Sequence, residues 1–266
     1  MNAYQKLTKS KKFIGVQVHP LKTPLKIKSA VTLKLDGQRN LLFIDPHGNV
    51  FLVNNKLQFK KLKFHLHAFR NSIFDGEVYQ NLFYAFDTLF FKGKDIRFNA
   101  DLYQRINMYS QLPAFICKKV YFFDFDYLFL KKLLKSTSMD IDGLIFTPVY
   151  SPYASSCPLK WKSIITIDFQ IRIIHETSKY TTIRLYTSDN KLFTCKLFPG
   201  IEQVKMKKNS EIKNGSVAEF FFKNKKFHFL RVRADKLKGN YSGVAYDNFN
   251  LIIHPFHLNL ISSVIA

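Results

Sequence analysis

Acid is scarce in this sequence. Asp and Glu number 19 against 41 Lys and Arg in 266 residues, a formal charge of +22 at pH 7. Such a chain attracts polyanions, with RNA, DNA and nucleotide phosphates as the candidate classes. Codon drift toward Lys, Asn, Ile and Phe would account for the 28 phenylalanines but would not strip acids this far. Cysteine is scarce too. Cys117, Cys157 and Cys195 stand far apart with no CxxC spacing, which excludes a disulfide framework and a cysteine zinc site and suits a reduced, intracellular protein. Long apolar runs are absent, and MNAYQKLTKSKK at the N-terminus carries lysines with no apolar stretch behind them. Neither a transmembrane span nor a secretory signal is expected. Internal repeats and low-complexity segments are also missing.

What is present is enough apolar material, 47%, for a sizeable core. VTLKL (31–35) alternates as a strand, and LLFID and VFLV flank Pro46–Asn49 as a hairpin. SIFDGEVY (72–79) and LFYAFDTLFF (82–91) read as strands joined at a short turn around Asn81. HLH at 65–67 reads as a strand with two imidazoles on one exposed face, a metal pair being the alternative. Two helices are predicted, one over 99–112 with Asn99 as N-cap and one over about 127–134. DGLIFTP (142–148) and PLKWKS (158–163) return to strand. Beyond Ser163 the texture becomes five short strands, IDFQIRII, TTIRLYTS, KLFTCKLF, SVAEFFF and KFHFLRVR, separated by turn signals. That spacing predicts a small barrel of the OB type with a domain boundary near residue 165.

The candidate chemistry begins with KLDGQR at 34–39. A lysine is a nucleophile only when neutral, and cationic neighbours or partial burial favour that form. Alone, K-x-D-G is equally a turn in which Asp and Gly supply the geometry. It stands, however, at the head of a series: FDGE (74–77), YAFDTL (84–89), DGLIF (142–146), LKWK (159–162) and RVRADK (231–236). Each member has an ordinary structural explanation in turns, core aromatics or solvated lysines; six in this order do not.

The series resembles the covalent nucleotidyltransferase superfamily, and within it the messenger RNA capping enzymes, the GTP:RNA guanylyltransferases. The resemblance runs from Lys34 to beyond Lys236. It implies an α+β fold: a nucleotidyltransferase domain (1–165) of antiparallel sheets with flanking helices, then a C-terminal OB-fold domain (166–266) whose last residues pack back on the first. It further implies that Lys34 attacks the α-phosphate of GTP and carries GMP. Arg39 would touch the ribose, Glu77 orient ribose or lysine, and Phe86 stack on guanine. Asp142 would help bind Mg²⁺ or Mn²⁺, and Lys160 and Lys162 would contact the α-phosphate. Arg231, Arg233 and Lys236, with Asp235 orienting them, would serve the β and γ phosphates. One of Lys118 and Lys119 would read the guanine, with Lys119 preferred. Asp87 is a metal-region or structural acid.

LKWK, DGLIFTP followed by VYSPY, and FLRVRADK are similar to the capping versions of these motifs, leaving an ATP-dependent polynucleotide ligase as the alternative. A non-catalytic RNA-binding protein of the same fold is a second alternative, suggested by the aromatics among basic residues in KNKKFHFLRVR. Ser163 replaces a proline common after LKWK, and the segment before Lys34 is short. Expected partners are GTP and the 5′-diphosphate end of RNA. RNA triphosphatase, cap methyltransferase and the RNA polymerase II tail would be supplied by other chains, in the nucleus or a viral factory.

Overall fold

The computed structural model describes residues 2–137 and 139–261. The chain divides into two units, one running to Lys162 and rejoined by the segment from His257, the other Ser163–Phe256.

The first unit runs α1 (Ala3–Thr8), β1 (His19–Pro20), β2 (Ser29–Leu35), β3 (Gln38–Ile44), β4 (Asn49–Asn54), β5 (Phe59–His65), β6 (Ser72–Tyr79), β7 (Leu82–Phe91), β8 (Lys94–Asp95), α2 (Leu102–Ser110), β9 (Cys117–Lys118), α3 (Tyr127–Lys135), β10 (Ile141–Pro148) and β11 (Leu159–Lys162). These strands make two sheets: β1-β11-β10-β2, and β5-β4-β3-β6-β7-β8 with β9 running parallel to β7. Apart from the short β1–β11 and β7–β9 pairings, neighbours are antiparallel.

Both faces of the larger sheet are covered, which is why β3 reads as the unbroken apolar run LLFI. Leu42, Ile44 and Phe74 face one cluster with Tyr109 and Leu112; Leu41, Phe43, Ile73 and Leu89 face another with Tyr4 and Tyr153. The turn between β6 and β7 consists of Gln80 and Asn81, both at positive φ (48° and 64°), the geometry that matches strand twist in a two-residue hairpin.

Helix α2 begins later than the sequence suggests. Asp101, not Asn99, is its N-cap, locked by a capping box in which Gln104 N donates to Asp101 Oδ1 (2.9 Å) and Asp101 N to Gln104 Oε1 (3.0 Å). The box wins because Gln104 supplies the return bond at N3. Likewise, His65 ends β5 but His67 opens a 3₁₀ turn, so the HLH strand stops short; the two rings stack at 5.5 Å.

The second unit is an antiparallel sheet of β12 (Thr166–Glu176), β13 (Tyr180–Tyr186), β14 (Gln203–Lys207), β15 (Val217–Lys223) and β16 (Lys226–Val232), followed by α4 (Ser242–Ile253). Its order, β14-β13-β12-β15-β16 with the edges β14 and β16 approaching each other, is the five-stranded, partly open barrel of the OB fold. Phenylalanine fills it: Phe169 touches Phe193, Phe220 and Phe227 at ring separations of 4.9–5.9 Å, and Phe249 of α4 packs on Phe193, Phe222 and Phe227. KLFTCKLF is not a strand. Only Leu192 makes a bridge, to Tyr186. Phe193 is fully buried and Cys195 and Phe198 pack on the same core, so the alternation reflects a loop dropping side chains inward. The barrel's third strand is instead the polar QVKMK.

Among the described residues no helix is long and apolar enough to cross a membrane. Arg105 on α2 is fully buried; its Nε donates to Asp87 Oδ1 (2.7 Å) and its Nη1 donates to the carbonyls of Ala100 (2.7 Å) and Ser151 (3.0 Å). Asp87 is thereby a structural acid. Burial pushes its carboxyl up, and Arg105 pulls it back toward the ionised form. Arg105→Ala strands that carboxylate in the core and should destabilise the protein by about 3–5 kcal/mol, read as a lower urea midpoint.

Candidate active site

Register brings the lysines together. Gly143 of β10 lies opposite Lys34 of β2 on one side and Lys162 of β11 on the other; the next row of the same parity is Thr32, Ile145 and Lys160. Since alternate residues share a face, Lys34, Lys160 and Lys162 project from one side of the sheet, with the middle of the first row left open by a glycine. Only glycine serves there. Its φ is +146°, and a β-carbon would fall 1.9 Å from the carbonyl oxygen of Trp161.

The pairing slips one residue earlier, since Ile141 faces Leu35 while Gly143 faces Lys34. Asp142 is the extra residue of a β-bulge, which re-aims its side chain. Its Oδ2 accepts from Lys34 Nζ and from Lys162 Nζ, the latter at 2.7 Å. Burial raises the Asp142 carboxyl, but Lys162 and Lys34 more than offset this and hold it below the usual carboxylate range. Burial, then the neighbouring Lys162 and Lys34, push the Lys160 amine down.

Asp36 and Gly37 carry the chain from β2 of the smaller sheet to β3 of the larger one. KLDGQR is therefore the crossing between sheets, with Lys34 on one and Arg39 on the other. Arg39 faces Glu77 across the ladder, and Asp75 lies diagonally on the same face. The guanidinium is held there. Nε donates to Asp75 Oδ1 (3.1 Å), Nη2 to Asp75 Oδ2 (2.5 Å) and to the Tyr153 hydroxyl (3.2 Å), and Nη1 to the Val16 carbonyl (2.5 Å). Tyr153 in turn donates to Asp75 (2.5 Å). Burial pulls the guanidinium down, but Asp75 outweighs it and raises Arg39 above its ordinary range.

A second bulge sets Phe86. Asp75 faces Asp87 but Gly76 faces Ala85, leaving Phe86 as the extra residue of β7. Phe86 and Asp87 therefore line the same cavity although they are adjacent in a strand. The loosened backbone is tied down from β9 and beyond: Lys119 N donates to the Ala85 carbonyl (2.8 Å) and the Tyr121 hydroxyl to the Phe86 carbonyl (3.2 Å).

Between the two sheets lies a cavity of about 220 Å³ whose walls include Lys34, Gly37, Arg39, Glu77, Phe86 and Lys119. Of the paired candidates, Lys119 belongs to it. Its ammonium pairs with Glu77, donates to the Leu33 carbonyl (3.1 Å) and sits 5.3 Å from the Phe86 ring centre, with Arg39 at 5.9 Å. Lys118 instead donates to the carbonyl of Pro113 (3.2 Å) in its own loop. Burial pushes the Lys119 amine down, and Glu77 opposes it.

Arg231, Arg233, Asp235 and Lys236 form a cluster of their own in the second unit. Beneath them lie two buried acids: Asp168 receives Lys236 and Arg233 (3.2 Å), and Glu219 receives Arg231 (2.7 Å) and the Thr166 hydroxyl (2.6 Å). Asp235 clasps Arg233 through Nε (2.9 Å) and Nη2 (2.8 Å).

Sequence reasoning missed Asp75 and Tyr153 as the holders of Arg39, and Asp168 and Glu219 as the floor of the basic cluster. Asp75 had a signal, standing within FDGE, and so had Tyr153 at the end of VYSPY; Asp168 and Glu219 had none beyond being acids in strands.

Metal chemistry has a narrow footing. Among the described residues no group of three or more His, Cys, Asp or Glu could hold an ion. The Asp142 carboxylate fits the manner in which Mg²⁺ is held by one or two carboxylates together with substrate phosphates.

No family model matches the sequence, and no curated protein matches it. Among solved structures the chain is similar to the ligase domain of LigD from M. tuberculosis, at 15% identity and a TM-score of 0.43, covering 84% of this chain and 96% of that one. It is also similar to the protein titled Pmar-Lig_Pre. (11%, TM-score 0.41, 82% of this chain and 67% of that one). A third is the Chlorella virus DNA ligase-adenylate (10%, TM-score 0.36, 84% and 100%). Identities this low say nothing of which nucleotide or acceptor a chain uses.

The Asp142 bridge has a pH signature. A carboxyl held low in the folded state contributes stability that is present above its unfolded pKa, near 4, and lost as pH falls through the folded value. The melting-temperature difference between the parent and Asp142→Asn should therefore be constant from pH 7 to about 5 and shrink below about 4, followed by circular dichroism across that range.

Proposed function

We propose that this chain is a covalent nucleotidyltransferase acting as an mRNA guanylyltransferase, passing GMP from GTP through Lys34 to the 5′-diphosphate end of RNA. Support comes above all from one arrangement: Lys34 on a cavity wall, tied with Lys162 to the bulged Asp142, and facing a wall that offers Phe86 between Arg39 and Lys119.

Each part has a chemical task. A base stacks on Phe86, and Lys119, with one N–H beyond those given to Glu77 and Leu33, donates to a carbonyl oxygen on the base edge; guanine carries one at O6 and adenine does not. Arg39 has four of its five N–H groups committed to protein, so it offers the sugar a single donor. Lys34 Nζ attacks the α-phosphorus as the neutral amine, its protons passing to solvent. The N–P bond forms as the bond to the bridging oxygen breaks, and pyrophosphate leaves with the charge. Lys160 and Lys162 stabilise the α-phosphate oxygens where charge develops. Asp142, held ionised, fixes the two amines before substrate arrives and would contribute to a divalent ion; when bound, that ion neutralises phosphate charge. Arg231, Arg233 and Lys236, oriented by Asp235, are the phosphate-binding group of the second unit. A terminal phosphate oxygen of the RNA diphosphate then attacks the phosphorus of Lys34-GMP; the new P–O bond forms as the N–P bond breaks, and the departing amine takes a proton from solvent.

Incubation with α-labelled GTP and Mg²⁺ should give a protein-bound label, stable to base and labile to acid, that Lys34→Ala abolishes. Label from ATP and not GTP would assign the chain to ligation. Arg233→Ala should slow labelling roughly 10- to 100-fold without altering the far-ultraviolet circular dichroism.

A further inference from the structure

The second unit carries a groove that the nucleotide chemistry leaves unused. It lies between the barrel's two edge strands, β14 and β16, which approach each other without pairing, and it encloses about 620 Å³. One wall presents Lys205 and Lys207, exposed on alternate positions of β14, followed by Lys208. The other presents His228 and Phe229 of β16. Lys205 sits 4.9 Å from the Tyr180 ring centre, and Lys208 reaches Glu176 (2.6 Å).

We infer that this groove binds single-stranded nucleic acid, with the β14 lysines on phosphates and His228 as a stacking platform for a base. Lysines repeating every second residue along a strand line up as phosphates do along an extended chain. The exposed His228 ring is half of a stacked pair, 5.1 Å from Phe221 with 17° between planes, and its Nε2 lies 3.1 Å from the Lys223 carbonyl. A flat ring held in this way beside a cationic wall is the combination that single strands use and that a duplex, whose base faces are covered, does not. Lys223, Lys225 and Lys226 at the adjoining β15–β16 turn extend the positive surface. The inference deepens the proposed function, giving the body of an RNA acceptor a seat distinct from the cavity at Lys34, and rests on that function only for the identity of the strand.

The test uses the full chain and a fluorescein-labelled 15-mer of uridylate with a 5′-hydroxyl end, which cannot accept GMP. Binding is read by anisotropy between 50 and 200 mM NaCl. Lys205→Glu with Lys207→Glu should weaken binding at least tenfold at 100 mM and lower the log–log salt slope by about 1.4, roughly 0.7 for each lost phosphate. His228→Ala should weaken it about fivefold with the slope unchanged. Label formation from GTP should persist in both variants, none of these residues belonging to that machinery. A deoxythymidylate 15-mer separates RNA from DNA as the natural strand. Unchanged affinity in the variants, equal losses on a duplex of the same length, competition by polyglutamate as strong as by the oligonucleotide, or label formation falling in step with binding would each overturn the inference. Failure of the parent chain to label with GTP would instead overturn the proposed function and leave the binding result standing, with circular dichroism confirming that the variants are folded.

Discussion

One carboxylate, Asp142, shared between two ammonium groups, holds the candidate site in shape. Without it Lys34 and Lys162 would sit on the two strands that flank β10, on one face, repelling each other across the open position left by Gly143. The shared acid exists because the ladder slips by one residue at Asp142, and the slip is tolerated because Gly143 accepts a backbone conformation and a contact with Trp161 that no larger residue could. A bulge and a glycine thus set the position of the Lys34 amine.

The same device recurs through the molecule. In a chain with so few acids, those that are buried are mostly matched to a cation: Asp75 to Arg39, Glu77 to Lys119, Asp87 to Arg105, and Asp168 and Glu219 to the basic cluster of the second unit. A buried carboxylate without such a partner is costly, and so is a crowd of cations without a carboxylate beneath it. The excess of 41 Lys and Arg over 19 Asp and Glu leaves most cations without an acid beneath them.

Much of this was legible in the sequence, and the boundary of legibility is physical. Candidates carried by local motifs, such as Lys34 in KLDG, Glu77 in FDGE and Lys162 in LKWK, could be picked out, and the cavity brings Lys34, Arg39, Glu77, Phe86 and Lys119 together. Which residue holds which could not, because Tyr153 meets Asp75 across 78 positions and Lys236 meets Asp168 across 68. Bulges are equally silent: YAFDTL alternates like any strand, and nothing local says that Phe86 is looped out so that it and Asp87 line one wall. KLFTCKLF misleads in the opposite direction, its alternation arising from a loop that feeds Phe193 into the barrel core, while the true third strand, QVKMK, is short and polar enough to pass for a surface segment.

The single tryptophan of the chain, Trp161, is the middle residue between Lys160 and Lys162 on β11, half-buried and in register with Leu144 of β10. All indole emission of this protein therefore originates one residue from Lys160 and Lys162, on the opposite face of β11, so intrinsic fluorescence reports on the packing of this one strand without an attached dye.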